Sequence, residues 1–290
     1  MEVSTPLVSI GIPVYNAGRF IADTLKSVLD QTYTNFELII TDDGSTDDSV
    51  AIVKTFDDQR IQLISDGLNK GISFRLNQQV AQAKGKYFVR MDADDLMFPY
   101  RLERQVSFLE QHPELDAVGS SVVVLDDDNH ILAFRKAKLL SNYRELFSTI
   151  LFNHPTVTGK TEFFKKYPYS EHLTGVEDAD VWLRSFPQSR FSVISEPLLF
   201  YRDPLAFKLS TYRFRLLQKN RLLRHHPYLK SRFLLKTKLM TENFLKIAVA
   251  TFTHLSGNDR WMISRRNQNS ELPQLEEWRN VLKKITNEQS

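Results

Sequence analysis

The sequence predicts an α/β protein, a mostly parallel sheet with helices on both faces, followed by an α-helical C-terminal extension. Three observations carry this. Over the first 125 residues short apolar runs alternate with amphipathic stretches of helical period. The apolar runs are rich in Val and Ile and close to continuous, as expected of strands covered on both faces. From residue 205 onward the pattern turns helical and basic, with 17 Lys/Arg against 6 Asp/Glu, whereas the preceding 204 residues hold 21 against 29. We therefore divide the chain at 1–204 and 205–290, two parts of opposite charge that face different partners.

The elements follow in order. "LVSIGIPV" (7–14) is the first strand, and "GRFIADTLKSVLDQ" (18–31) a helix with Phe20, Ile21, Leu25, Val28 and Leu29 on one face. "FELIIT" (36–41) is the second strand. "GSTDDSVAIVKTF" (44–56) reads as a turn at Gly44, an N-cap at Ser45 or Thr46, and a helix with Asp47 and Asp48 in its first turn. "RIQLIS" (60–65), "KYFVRMD" (86–92) and "AVGSSVVVL" (117–125) are further strands. "GISFRLNQQVAQA" (71–83) and "FPYRLERQVSFLEQH" (98–112) are helices, the second with Pro99 near its start. The segment 126–204 is less regular. "LDDDNH" is a hairpin turn, Glu177-Asp178 open a helix carrying Val181, Trp182 and Leu183, and "SVISEPLLFYR" (192–202) is a strand with Pro197 at an edge or bend. Pro227 should split the basic tail into two helices.

Composition narrows the chemistry. The 290-residue chain has 42% hydrophobic and 25% charged residues, ordinary for a globular protein, and no Cys, which removes disulfides, thiolate metal sites and a Cys nucleophile. The N-terminal apolar run has no basic lead and is interrupted by Ser9, Gly11 and Pro13, so it reads as neither a signal peptide nor a membrane span. A cytoplasmic protein is expected.

In parallel sheets ligands bind outside the carboxyl ends of the strands. Tyr15-Asn16, Asp42-Asp43 and Asp92–Asp95 each follow a strand and should open on that one edge. Asp92, Asp94 and Asp95 crowd like charge with Arg90 the one nearby cation. In an extended segment Asp92 and Asp94 share a side, a placement suited to a hard dication shared with phosphate oxygens, Mn²⁺ or Mg²⁺. A solvated turn is the plainer reading, and the position after a buried strand argues against it. Asp43 has a carboxylate placed to accept from a base edge or ribose, though Gly44, Ser45 and Thr46 alone make an ordinary strand-to-helix turn. Glu177-Asp178 is either a dipole-favoured acid pair or the seat of a general base. His154 is a lone loop histidine, and Arg202 caps a strand end or pairs with phosphate.

Taken together, "VSIGIPVYN", "LKSVLDQTYTNFELIITDDGSTDDS", "RMDADDLMFPYRLERQ" and "VEDADVWLR" resemble, in order and spacing, family 2 glycosyltransferases of the GT-A fold, a Rossmann-like architecture. The resemblance spans about residues 6–202. It implies an inverting transferase using a nucleotide-diphosphate sugar, UDP-linked by preference, and a hydroxyl on a glycan or lipid-linked acceptor, in cell-surface polysaccharide or lipopolysaccharide biosynthesis. It implies donor nucleotide contacts at Pro13, Val14, Tyr15, Asp43 and Asp92, the metal at Asp94, the catalytic base at Asp178, and substrate contacts at Glu177, His154 and Arg202. Asn69, Gly71 and Asn77 match the family's stretch, Arg75 receives no role, and the usual His and Ser pattern after "YRDP" is absent. A non-catalytic nucleotide-sugar binder of the same fold would dispense with Asp94 or Asp178, and both are present. A nucleotidyltransferase would need a glycine-rich basic loop after the first strand, and "PVYNAGRF" is not one.

The extension matches no named family. Residues 205–246 hold eleven Lys/Arg and one acid, Glu242, among Leu and Phe. Two readings stand: helices lying on an anionic inner membrane face, or a hairpin packing its Leu face on the catalytic domain with a solvated basic side. No recognition motif accompanies the charge, so nucleic acid is not an expected partner.

Overall fold

The computed structural model describes residues 5–140, 142–203, 207–259, 261–262, 272 and 274–286. Strands β1 (Val8–Val14), β2 (Phe36–Asp42), β3 (Ile61–Ser65) and β4 (Tyr87–Arg90) pair in parallel in the order β3-β2-β1-β4. Helices α1 (Ile21–Leu29), α2 (Ser49–Val53) and α3 (Ile72–Gln82) connect them. The sheet continues through β8 (Thr158–Lys160), β6 (Ala117–Leu125), β9 (Phe191–Arg202) and the short β5 (Leu96–Met97), with β7 (Ile131–Arg135) paired on β6.

The α/β class holds, with a sheet more mixed than expected. Pairs β4–β8, β6–β8, β5–β9 and β6–β7 are antiparallel, and β6–β9 is parallel. For β6–β7 the cause is local, since five residues join the two strands. Parallel neighbours need a crossover of a dozen residues or more. The expected hairpin at 126–130 is present, with Asn129 at φ +65°. Pro197 lies inside β9, not at an edge, where the register with β6 slips from Ser120↔Ile194 to Ser121↔Pro197. A residue without an N–H is accommodated where the ladder already breaks.

Helix α2 starts later than expected, at Ser49, and neither Ser45 nor Thr46 caps it. Their groups serve another loop: Asn16 N–H donates to Ser45 Oγ (3.0 Å), and Thr46 N–H donates to Asn16 Oδ1 (2.8 Å). Asp47 takes over by accepting from Ser49 N–H (3.0 Å) and Gly18 N–H (2.8 Å). The loops after β1 and β2 are thereby laced together at the carboxyl edge.

Helices α4 (Arg101–Gln111), α5 (Thr161–Lys166) and α6 (Glu177–Ser185) complete the first part, and α6 begins at the expected acid pair. Past residue 207, α7 (Leu209–His225) and α8 (Phe233–Leu255) are separated at Pro227, as its missing N–H requires. Leu222 and Leu223 of α7 and Leu239 of α8 join a core cluster with Phe147, Phe164 and Trp182. Helix α9 (Leu275–Thr286) buries Trp278, Leu282 and Ile285 against Leu96, Phe98, Val123 and Phe200. The extension is thus anchored to the sheet at two separate places.

Candidate functional site

Parallel register puts the ends of β1, β2 and β4 together: Val14 pairs with Asp42, and Gly11 with Arg90. Pro13 is half-buried, Val14 is buried in the core, and Tyr15 is 55% exposed, the aromatic face presented at this edge. Val14 contributes its carbonyl to Asp43 N–H (2.8 Å).

The Asp43 carboxylate is heavily committed. It accepts from Lys70 N–H (2.7 Å), from Gly71 N–H (3.1 and 3.0 Å) and from Arg75 Nε (3.0 Å). Gly71, at φ +86°, lets the chain turn so that α3 points its N-terminus at the carboxylate, where the helix dipole favours an anion. Fully buried Arg75 also bonds Asp66 (2.6 Å) and the Leu68 carbonyl (2.5 Å). Asp66 is held well below the usual carboxylate range, by Arg75 first and then Lys70. Arg75, given no role from sequence, therefore braces the loops after β2 and β3 at the carboxyl edge. Nothing in its spacing from Asp43 or Asp66 signals this.

Beyond β4 the chain forms a turn at Ala93-Asp94, not the extended segment expected. The turn gathers three carboxylates instead of two: Asp92, Asp94 and Asp95 each bring an oxygen within 4.8 Å of the others. Thr24 Oγ1 donates to the carbonyls of Ala93 (3.0 Å) and Asp95 (2.9 Å), and Arg202 Nε donates to the Asp94 carbonyl (2.9 Å). Burial, then the Asp92 charge, pushes the Asp94 carboxyl up to about 6. Asp95 is raised well above its usual value by burial and then by Asp94; its Oδ1 accepts from Arg202 N–H (2.8 Å), while its Oδ2 is buried without a partner among the described residues. Crowded acids with an unsatisfied buried oxygen fit a hard dication, which takes carboxylate oxygens and would restore ionisation.

Arg202 is placed as a bracket. Besides Asp94 it donates to the Asp126 carbonyl (2.5 Å) and Asn129 Oδ1 (2.8 Å), and its guanidinium lies 4.4 Å from the Phe20 ring centroid.

The second half of the site surrounds buried Arg90, which ion-pairs with Asp92. At the start of α6, Glu177 is buried with Oε2 unpartnered among the described residues, and Asp178 is partly exposed. Burial raises both carboxyls; Asp178 is drawn back by Ala179 N–H (2.7 Å), Arg90 and Arg215 of α7. Arg90 likewise lowers Asp94 and Asp95, so one guanidinium serves both acid groups. Tyr169 feels Asp92, Glu177 and Asp178 alike, and its hydroxyl meets His154 Nε2 at 2.9 Å. Burial, then Arg90, keeps His154 well below its usual pKa, hence neutral. Reciprocal bonds from Asn77 to the Tyr169 backbone (2.8 and 2.9 Å) fasten this loop to α3. Helix α7 also borders the site: a Cβ on Gly175 would sit 3.4 Å from Arg215 and 3.6 Å from Phe214.

Over residues 9–173, more than half of the chain, the sequence matches the family model described as glycosyl transferase family 2. The chain belongs to that family. Its relatives include EpsE of Bacillus subtilis (strain 168), a glycosyltransferase by name, 35% identical over a 222-residue alignment that covers 73% of this chain and 78% of that one. Another is the uncharacterized glycosyltransferase MJ1057 of Methanocaldococcus jannaschii, 33% identical over 211 residues, 70% and 73% of the two chains. Among solved structures, S. aureus TarS 1-349 in complex with UDP-GlcNAc superposes with TM-score 0.59 at 19% identity, covering 96% of this chain and 80% of that one. The mannosyltransferase PcManGT from Pyrobaculum calidifontis, in complex with GDP-Man and Mn²⁺, gives 0.58 at 17%, covering 98% and 86%. These likenesses show the GT-A-type fold. The protein is a glycosyltransferase, and its acid turn is able to hold a metal ion.

Proposed function

We propose that the enzyme moves a sugar from a nucleoside-diphosphate donor, UDP-linked in the first instance, to a hydroxyl of a glycan or lipid-linked acceptor with inversion, in cell-surface polysaccharide or lipopolysaccharide assembly. The observation that carries the reading is the pair of acid groups, Asp92–Asp95 and Glu177-Asp178, arranged about one buried cation, Arg90. Complexes of the structural neighbours with UDP, UDP-GlcNAc and GDP-Man support a nucleotide sugar as donor.

Tyr15 and half-buried Pro13 flank the nucleobase, Val14 and Asp43 shape that wall, and Asp92 takes the ribose. Asp94 is the principal ligand for Mn²⁺ or Mg²⁺, with Asp92 and Asp95 beside it. A bound dication would offset charge developing on the diphosphate leaving group. Asp178, partly open to solvent and raised by burial, takes the proton from the acceptor hydroxyl, whose oxygen attacks the anomeric carbon as the bond to the diphosphate breaks. Glu177, whose Oε2 has no partner among the described residues, contacts the sugar or acceptor. His154 positions Tyr169, and Arg202 holds the acid turn.

Transfer and donor hydrolysis across a panel of nucleotide sugars with Mn²⁺ tests the proposal. Asp178→Asn should abolish transfer and keep donor binding. Asp94→Ala should weaken metal-dependent nucleotide binding. Full activity in Asp178→Asn overturns the base assignment, and absence of transfer and hydrolysis with every donor favours the non-catalytic binder.

A further inference from the structure

The extension leaves one conspicuous surface. On α8 the side chains of Leu239, Asn243, Ala250 and Thr253 are buried, and Asn243 Nδ2 donates to Asn220 Oδ1 of α7 (2.7 Å), which fixes the register of the helix pair. The opposite face is apolar and open. Leu234, Leu245, Val249, Phe252 and Leu255 recur at intervals of three, four and eleven residues, so they line up as one stripe. Leu234 is 83% exposed, Phe252 76% and Leu255 80%, with Phe233 and Phe244 adding more apolar surface at the margin. These seven large apolar side chains, unbroken from Leu245 to Leu255 and separated from Leu234 by Thr237, Lys238 and Thr241 on the same face, form a patch of the kind that marks an interaction surface.

Charge decides the occupant. Exposed Lys238 lies on the stripe between Leu234 and Leu245 and exposed Lys246 beside it, exposed Lys230 and Arg232 sit at the α7–α8 turn, and exposed Arg213, Arg221 and Arg224 lie along α7. Residues 205–246 hold eleven Lys/Arg against one acid. Among the described residues, the one ion pair made by these side chains is Lys238 with Glu242, at 4.0 Å. A second copy docking stripe to stripe would bring this cationic field against itself. An anionic lipid surface instead accepts the apolar strip among its acyl chains and the flanking cations among its headgroups. No described helix is long and apolar enough to cross a membrane, so the contact is in the interface plane.

We infer that the α7–α8 pair seats the enzyme on an anionic bilayer through the Leu234–Leu255 stripe of α8. The seating does not depend on the role proposed for Asp178.

The test uses the full-length chain without nucleotide, sedimented with vesicles of phosphatidylcholine alone or mixed with phosphatidylglycerol. Binding is expected to the mixed vesicles, to weaken with added salt, and to drop about a hundredfold for Leu245→Asp combined with Phe252→Asp, since each buried side chain of this size carries roughly a factor of ten. Nucleotide-induced thermal stabilisation of the same variant should equal that of wild type, which shows that the fold and donor site are intact. Light scattering during size exclusion distinguishes the rival occupant. A wild-type dimer dissolved by the double variant overturns the inference, as does equal vesicle binding by wild type and variant, or no preference for the anionic lipid.

Discussion

Replacing Asp94 with Asn should make the metal-free enzyme more stable, not less. Burial and the neighbouring Asp92 charge raise the Asp94 carboxyl from its ordinary 3.8 to about 6. A carboxyl that is harder to ionise in the folded state binds its proton more tightly there than in the unfolded chain. Between pH 4 and 6 the folded state therefore holds the extra proton, and its stability falls as the pH rises through that window. A rise of about two pH units at ~1.36 kcal/mol each gives a penalty of ~3 kcal/mol at neutral pH. The neighbouring acids share in this titration, so about 2–3 kcal/mol is the expected gain on removing the charge. For a chain of this size ~2 °C of Tm accompanies each kcal/mol, so Asp94→Asn should melt about 5 °C higher than wild type at pH 8 in EDTA. Near pH 4, where wild-type Asp94 is protonated, the two should converge. Manganese with nucleoside diphosphate should raise the wild-type Tm and leave the variant nearly unmoved. Differential scanning fluorimetry across pH, with and without the ion, reads all of this. An Asn variant that melts lower than wild type at pH 8 in EDTA, or that keeps the full manganese response, would refute the reasoning.

Other outcomes follow from the same geometry. Asp178→Asn should cut transfer by about 10²–10⁴-fold in a radiolabelled or coupled assay while the nucleotide Kd stays unchanged. The acid limb of kcat/KM should lie above the ordinary Asp value, with activity lost as the pH falls through the raised Asp178 pKa; a limb at or below that value would contradict its burial. Arg75→Met should cost roughly 3–5 kcal/mol in urea unfolding, because Asp43 would stay buried without its cation. Gly71→Ala should cost about 1–3 kcal/mol through backbone strain alone, since φ +86° with ψ +157° is a region essentially open to glycine only and a Cβ there meets nothing within 4 Å.

What the sequence revealed depended on whether a residue's job was local. The strand at 117–125 was legible to the residue because Ala117-Val118 and Val122–Leu125 bracket small residues, and all nine positions are buried. The opening of α6 at Glu177 and the break at Pro227 were legible for equally local reasons, a dipole-favoured acid pair and a missing N–H. Strand β8 was not, since Thr158, Gly159 and Lys160 carry no pattern and become a strand only by lying between β4 and β6. Helix α2 lost its first turn because Ser45 and Thr46 were claimed by Asn16, a partner about 30 residues away. The acid turn was visible as crowded charge, and the recruitment of Asp95 was hidden because it required the turn at Ala93-Asp94. Arg90 was visible as the nearby cation, while its reach to Asp178 depends on where α6 is packed.

The bracket formed by Arg202 has a mechanical corollary. Its guanidinium ties the acid turn to the 126–130 hairpin, whose Asp128 is in turn ion-paired with Arg19 beyond β1. A loop that need never touch sugar or nucleotide thereby sets the tilt of the aspartates. Resizing that tip is a way to retune the spacing of the carboxylates while every one of them is left in place.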